Sequence, residues 1–409
     1  MNSKKIKRLK FACYTSSMSM SVVACLSPIL FLTFRSMYGI SFSLLGLLVL
    51  INFVTQLGID LIFSFFSHKF NIPKTVKSMP IITVVGLFVY AILPWLMPGN
   101  EYFAIALGTV IFSAAAGLGE VLISPTFAAI PSDDPEREMS KLHSAYAWGV
   151  VGVTIVCTLF LFIFGKENWQ ILAILLSVIP LTSAYLYAGA EVPKMETPEK
   201  ISGAAKLLKN KGLWLSVGAI FLGGASECTM AQWSSSYLEQ TLKIPKVWGD
   251  IFGVALFSFM LGLGRTLYSK FGKNICRVLL WSGIGATVCY LTAAVSANAV
   301  LGLLACIMTG FCTAMLWPGN LIVATERFPA GGVFVYALMA AGGDLGASVV
   351  PQHVGVITDF AISNPQIAQL GVNLGLTPED AGMKLGMLVA TIFPVISIPV
   401  YGALKKQSK

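Results

Sequence analysis

A chain of 409 residues that is 56% hydrophobic and only 11% charged, with a mean hydropathy of +0.77, is not an ordinary soluble domain, in which about a quarter of residues carry charge. The net charge of +9 does not point to a nucleic-acid partner either. Its basic residues gather in short connections between apolar runs, the arrangement that orients a protein in a lipid bilayer.

The amino terminus, MNSKKIKRLK, precedes an apolar run from about 11 to 34, too long for a signal-peptide core. A spanning helix needs about 20 mainly apolar residues. Twelve such runs are expected at about 11–34, 41–67, 78–97, 102–130, 139–164, 169–189, 213–238, 247–271, 277–296, 298–325, 331–359 and 381–404. Lys and Arg cluster before the first run, at Lys69, Lys74 and Lys77, at Lys194 to Lys211, at Lys270, Lys273 and Arg277, and at Lys405, Lys406 and Lys409. The intervening connections hold few: Arg35, Lys166, Lys243 and Lys246. This bias places both termini in the cytoplasm, for a protein of a bacterial-type inner membrane. The eight cysteines form no Cys-x-x-Cys pair and share no ligand spacing with the three histidines; they read as small core residues. No cofactor or metal site is expected.

The longest polar connection, 191–212, divides the chain into a first bundle (1–190) and a second (213–409). A repeat supports the division. GLGEVLISPTF from Gly117 aligns with GFCTAMLWPGN from Gly310, matching Gly117 to Gly310 and Pro125 to Pro318, and Gly149 and Gly152 correspond to Gly343 and Gly346. Equivalent positions in each half are what parallel repeats about an axis along the membrane normal predict. The expected fold is an all-α membrane protein of twelve transmembrane helices in two six-helix pseudo-repeats.

That architecture resembles the major facilitator superfamily. Within it, ECTMAQWSSSYLEQ (Glu227 to Gln240), VWGDIFGVALFSFMLGLGR (Val247 to Arg265), MLWPGNLIVATERFPAGG (Met315 to Gly332) and GGDLG (Gly342 to Gly346) are similar to the fucose permease group of sugar:cation symporters and their bacterial relatives. The resemblance implies an acid in the first helix, which this chain lacks, and a functional glutamate in the fourth, where Glu120 is the match.

An ionisable group within a span is costly and marks a candidate site. The coupling candidates are Glu120, Glu227 and Asp344, with His143 as a proton carrier near neutral pH. Substrate contacts are expected from Ser16, Asn52, Glu227, Gln232, Trp233, Tyr237, Trp317 and Asn320. An indole and a phenol give an apolar plate with a donor, and amides and hydroxyls give hydrogen bonds; Trp233 and Tyr237 also fit interfacial anchors. Pro318 frees a backbone carbonyl, tolerated where a cavity or a neighbour satisfies it. Asp60, Arg265 and Glu326 read as gating contacts, with Glu326 the partner of Arg265, and no arginine or lysine is read as deep in a helix where an anionic substrate would need one. The expected function is cation-coupled (proton or sodium) uptake of a small neutral hydroxylated solute such as a monosaccharide, by a monomer. An amphipathic-drug exporter, against which the missing Gly-Pro signature of helix five argues, and a solute-binding sensor are the rivals; no enzyme motif is present.

Overall fold

The computed structural model describes residues 3–66, 69–131, 135–193, 207–328 and 332–407. Among them stand twelve helices long and apolar enough to cross a membrane, and no strand. They are α1 (Ser3–Tyr38), α2 (Phe42–Phe66), α3 (Ile72–Leu96), α4 (Glu101–Ala128), α5 (Pro135–Phe164), α6 (Trp169–Leu176, continued as Val178–Ala188) and α7 (Lys211–Leu242). Then come α8 (Lys246–Asp250, through a π turn at Ile251–Ala255 into Leu256–Phe271), α9 (Ile275–Val295), α10 (Ala299–Thr313 and Leu316–Arg327), α11 (Gly332–Ser363) and α12 (Pro378–Ala390, continued as Ile392–Gln407). With no water in hydrocarbon to satisfy backbone groups, helices that close their own hydrogen bonds are the natural solution.

Each expected span falls on one of these helices. The largest offset is at the amino terminus, where α1 begins at Ser3 and the basic flank is helical. The reason is local: Arg8 donates to the carbonyls of Leu186 at 2.9 Å and Tyr185 at 2.7 Å, so a cation sits on the open carbonyls at the end of α6. Lys5 pairs with Glu191 beyond that end and holds its carboxyl below the usual range. A short helix, Pro365–Asn373, capped by Asn364, lies between α11 and α12; it was not anticipated.

By contact the chain forms two compact units, Met1–Ser27 with Val54–Ser202, and Pro28–Phe53 with Gly203–Lys409. The segment Pro28–Phe53 thus belongs to the first half by sequence and to the second by packing. In the first unit α3 and α4 cross closely, because a Cβ on Gly86 would lie 2.5 Å from the backbone of Phe112 and one on Gly108 equally close to Tyr90. Hydroxyls tie α1 to its neighbours: Ser16 to Ser183 at 2.6 Å, Ser27 to Tyr90 at 3.0 Å, and Ser21 to the carbonyl of Tyr146 at 2.8 Å. These are the small-residue and hydroxyl contacts that hold helices together where hydrophobicity cannot.

In the second unit α7 is central, packed on α10, α11 and α12 through Ala219, Ile220, Leu316, Met339 and Tyr401. The repeat is visible in the packing of each unit. Gly117 of α4 approaches the backbone of Gln56 on α2, and Gly310 of α10 approaches the backbone of Phe257 on α8. Gly149 of α5 meets Ser21 and Met18 on α1, while Gly346 of α11 meets Phe221 and Ala225 on α7. The helix pairs correspond, but by contact Gly149 matches Gly346 rather than Gly343, which receives the Trp317 ring instead. Among the described residues no cysteine is in a disulfide, and six of the eight are buried.

Candidate functional site

Glu227 stands midway along α7, with its side chain 14% exposed. Its Oε1 accepts from Arg265 of α8 at 3.3 Å, and its Oε2 is buried with no hydrogen-bond partner among the described residues. The Nε–H of the same arginine donates to the carbonyl of Ala314 at 3.0 Å. Two sequence expectations need correction here. The partner of Arg265 is Glu227, and Glu326, at the end of α10, is exposed. A cation does stand within the bundle, although the Glu227 charge offsets it. The sequence could not show this, because the position of Arg265 near the end of α8 says nothing of how far a guanidinium reaches across to α7.

The aromatic stripe of α7 is enclosed rather than interfacial. Trp233 is fully buried, donates its indole N–H to the carbonyl of Pro351 at 2.9 Å, and is covered by the rings of Phe31 and Phe42 at centroid distances of 5.2 and 6.2 Å. Tyr237 is also fully buried and donates to the carbonyl of Ala293. Neither ring is an anchor at the membrane surface. Gln232 is buried beside them. On α10, Trp317 fits over Gly343, where a Cβ would lie 2.5 Å from its ring, and its edge reaches toward Gly224, where a Cβ would stand 3.2 Å away. The amide nitrogen of Asn320 donates toward the carbonyls of Leu316 and Ala219 and the Tyr401 hydroxyl, and its buried Oδ1 has no hydrogen-bond partner among the described residues.

Phe31 and Phe42 belong to the segment Pro28–Phe53, which is fastened to α11 and α12. Asp359 accepts from both the backbone N–H and the hydroxyl of Ser43 at 2.6 Å, a carboxylate on the amino terminus of α2 where the helix dipole favours it. Arg35 lies over the Phe42 ring at 4.1 Å and reaches Glu379 at 3.9 Å. Gly46 allows Gln352 close approach, and Gly355 does the same for the backbone of Phe42. The sequence reading missed Asp359, whose partner lies 316 residues away. It also missed Asp250, buried at the start of α8 between Ser235 and Lys246.

In the first unit, Asp60 of α2 is 1% exposed, and a carboxylate oxygen lies within 4.8 Å of one from Glu120 on α4. The residue read as a latch therefore stands beside the residue read as a coupling acid, and together they could hold a cation. Ser16 lines a narrow cleft between α1, α3 and α4, with its hydroxyl on Ser183. Asn52 on α2 and Asp344 on α11 are buried. The side chain of His143 lies outside the described residues.

Residues 12–351 match the family described as Major Facilitator Superfamily. No curated protein matches the sequence. Similar solved structures include a bacterial homologue of the human lysosomal transporter Spinster in an inward-facing, unoccupied conformation, at 13% identity over 99% of this chain and 98% of that one, TM-score 0.72. The nucleoside transporter NupG is similar at 15% identity over 98% and 99%, TM-score 0.67, and a D-xylose–proton symporter at 15% over 97% and 98%, TM-score 0.72. At such identity the likeness is one of fold. The family match covers most of the chain and agrees with its twelve apolar helices: the chain belongs to the major facilitator superfamily, a family of membrane transporters.

Proposed function

We propose that the protein takes up a small neutral hydroxylated solute, such as a monosaccharide, by alternating access coupled to protons or sodium. The observation that carries this reading is the approach of Asp60 and Glu120 within the first unit. Two ionised carboxylates so close in a water-poor bundle repel one another, and one bound proton or sodium ion removes the repulsion. Such a pair gains a cation on one side of the membrane and releases it on the other.

A neutral cargo fits the second unit. Arg265 already offsets Glu227, so an anionic solute would find no spare cation on this pair. The buried Oε2 of Glu227 and Oδ1 of Asn320 offer acceptors for solute hydroxyls. Trp233 offers a flat apolar face once Phe31 and Phe42 withdraw. The fold likeness to a D-xylose–proton symporter and a nucleoside transporter supports a hydroxylated cargo, as does the resemblance of the α7 to α11 segments to the fucose permease group. The basic clusters support an orientation with both termini in the cytoplasm, and the protein is proposed to act as a monomer.

The test is uptake of a labelled monosaccharide panel into proteoliposomes under imposed proton or sodium gradients, with D60N, E120Q, E227Q and D344N beside the wild type. Accumulation that follows one gradient and is lost in E120Q supports the reading. Gradient-independent flux, or full coupling in all four variants, overturns it.

A further inference from the structure

The break in α10 is held from outside the helix. Pro318 has no amide hydrogen, so the carbonyl four residues before it, that of Ala314, has no intrahelical donor. The helix stops at Thr313 and resumes at Leu316. Arg265 donates its Nε–H to that open carbonyl at 3.0 Å and, through a terminal nitrogen, reaches Glu227 at 3.3 Å. A guanidinium suits this double role because it is planar, permanently charged and carries donors in a rigid fork. Small residues bring the helices together on both sides of the contact: a Cβ on Gly264 would lie 2.6 Å from that of Ala314, and one on Gly310 2.2 Å from the carbonyl of Phe257.

We propose that Arg265 is a positioning residue that ties the charge on Glu227 to the break in α10, through the carbonyl that Pro318 leaves open. Trp317 and Asn320 lie just past the break, in the second piece of the helix. When Glu227 is neutralised, Arg265 loses its ionic anchor, its hold on Ala314 weakens, and Leu316–Arg327 gains freedom to move with Trp317 and Asn320. The consequence for transport rests on the proposed function; the link itself does not.

The experiment is hydrogen–deuterium exchange of the purified full-length protein in detergent micelles, following the peptide from Phe311 to Ile322. R265Q is expected to raise its exchange rate about tenfold, the opening that follows loss of a charge-assisted hydrogen bond, and E227Q about threefold. In a P318A background, position 318 regains an N–H for the Ala314 carbonyl, and both increases are expected to fall to within about twofold of P318A alone. A purely structural loss would raise exchange throughout the second unit and would not be rescued by P318A. Unchanged exchange in R265Q and E227Q, or the same increases with P318A present, overturns the proposal. If R265Q does not fold, E227Q with and without P318A carries the test alone. Because no solute is added, failure of uptake with this linkage intact counts against the proposed function and not against the link.

Discussion

The two halves place a carboxylate inside a membrane bundle and give it opposite partners. In the first unit, α2 sets Asp60 beside Glu120 of α4, acid against acid. In the second, α8, the repeat counterpart of α2, sets Arg265 against Glu227 of α7, acid against base. The segments LGID, ending at Asp60, and LGLGR, ending at Arg265, put these charges one position apart in otherwise similar helices. Packing is retained between the halves, since Gly117 seats α4 on α2 as Gly310 seats α10 on α8. Charge is not retained: the first half sets two acids together and the second sets an acid against a base. Under the proposed function the acid pair takes up the mobile cation, whereas an acid–base pair is neutral without one. The prolines differ likewise: Pro125 sits in the last turn of an unbroken α4, while Pro318 follows a break in α10 whose open carbonyl has a fixed cation on it.

Disabling the acid pair gives the largest effect. E120Q is expected to bring gradient-driven accumulation down to an inside-to-outside ratio of about 1, because a transporter with no differential cation binding cannot be driven by a cation gradient; radiolabel uptake reads the ratio. Breaking the acid–base pair acts on stability instead. R265A is expected to cost roughly 3 kcal/mol, the low end for a buried pair, because the arginine side chain is 31% exposed. E227Q/R265Q is expected to cost less than R265A alone, since no unpaired charge remains; denaturant titration in micelles compares the two. G310A is expected to cost about 1–3 kcal/mol by overpacking, because its Cβ would lie 2.2 Å from the Phe257 carbonyl. G117A should cost clearly less, its nearest neighbours being 3.0 Å away; equal losses in melting temperature would remove the claim that the second crossing is tighter. The smallest effect is D359N, which weakens the cap on α2 by about 1 kcal/mol.

The twelve spans, the repeat and the family were legible because length, hydropathy and paired glycines and prolines are properties of contiguous sequence. So was the open carbonyl near Pro318, which follows from the chemistry of proline. Its donor was not legible: Arg265 lies 49 residues from Ala314, and nothing local in helix eight distinguishes an arginine that latches a loop from one that reaches into the bundle. Asp60 was misleading for the same reason, because its neighbour Glu120 comes from another helix. Trp233 was recognised as an aromatic plate, but its cover, Phe31 and Phe42, comes from a segment that sequence assigns to the other half. Charge pairing and aromatic covering depend on which helix faces meet, and apolar periodicity leaves that open.

The central claim is that the acid pair of the first half carries coupling while the acid–base pair of the second does not. Its most direct test is paired accumulation and counterflow with the E120Q and D60N variants in proteoliposomes, using the labelled monosaccharide that the panel selects. The account predicts that both variants exchange solute across the membrane at equilibrium and fail to concentrate it under any proton or sodium gradient. Undiminished gradient-driven accumulation in both variants would contradict it.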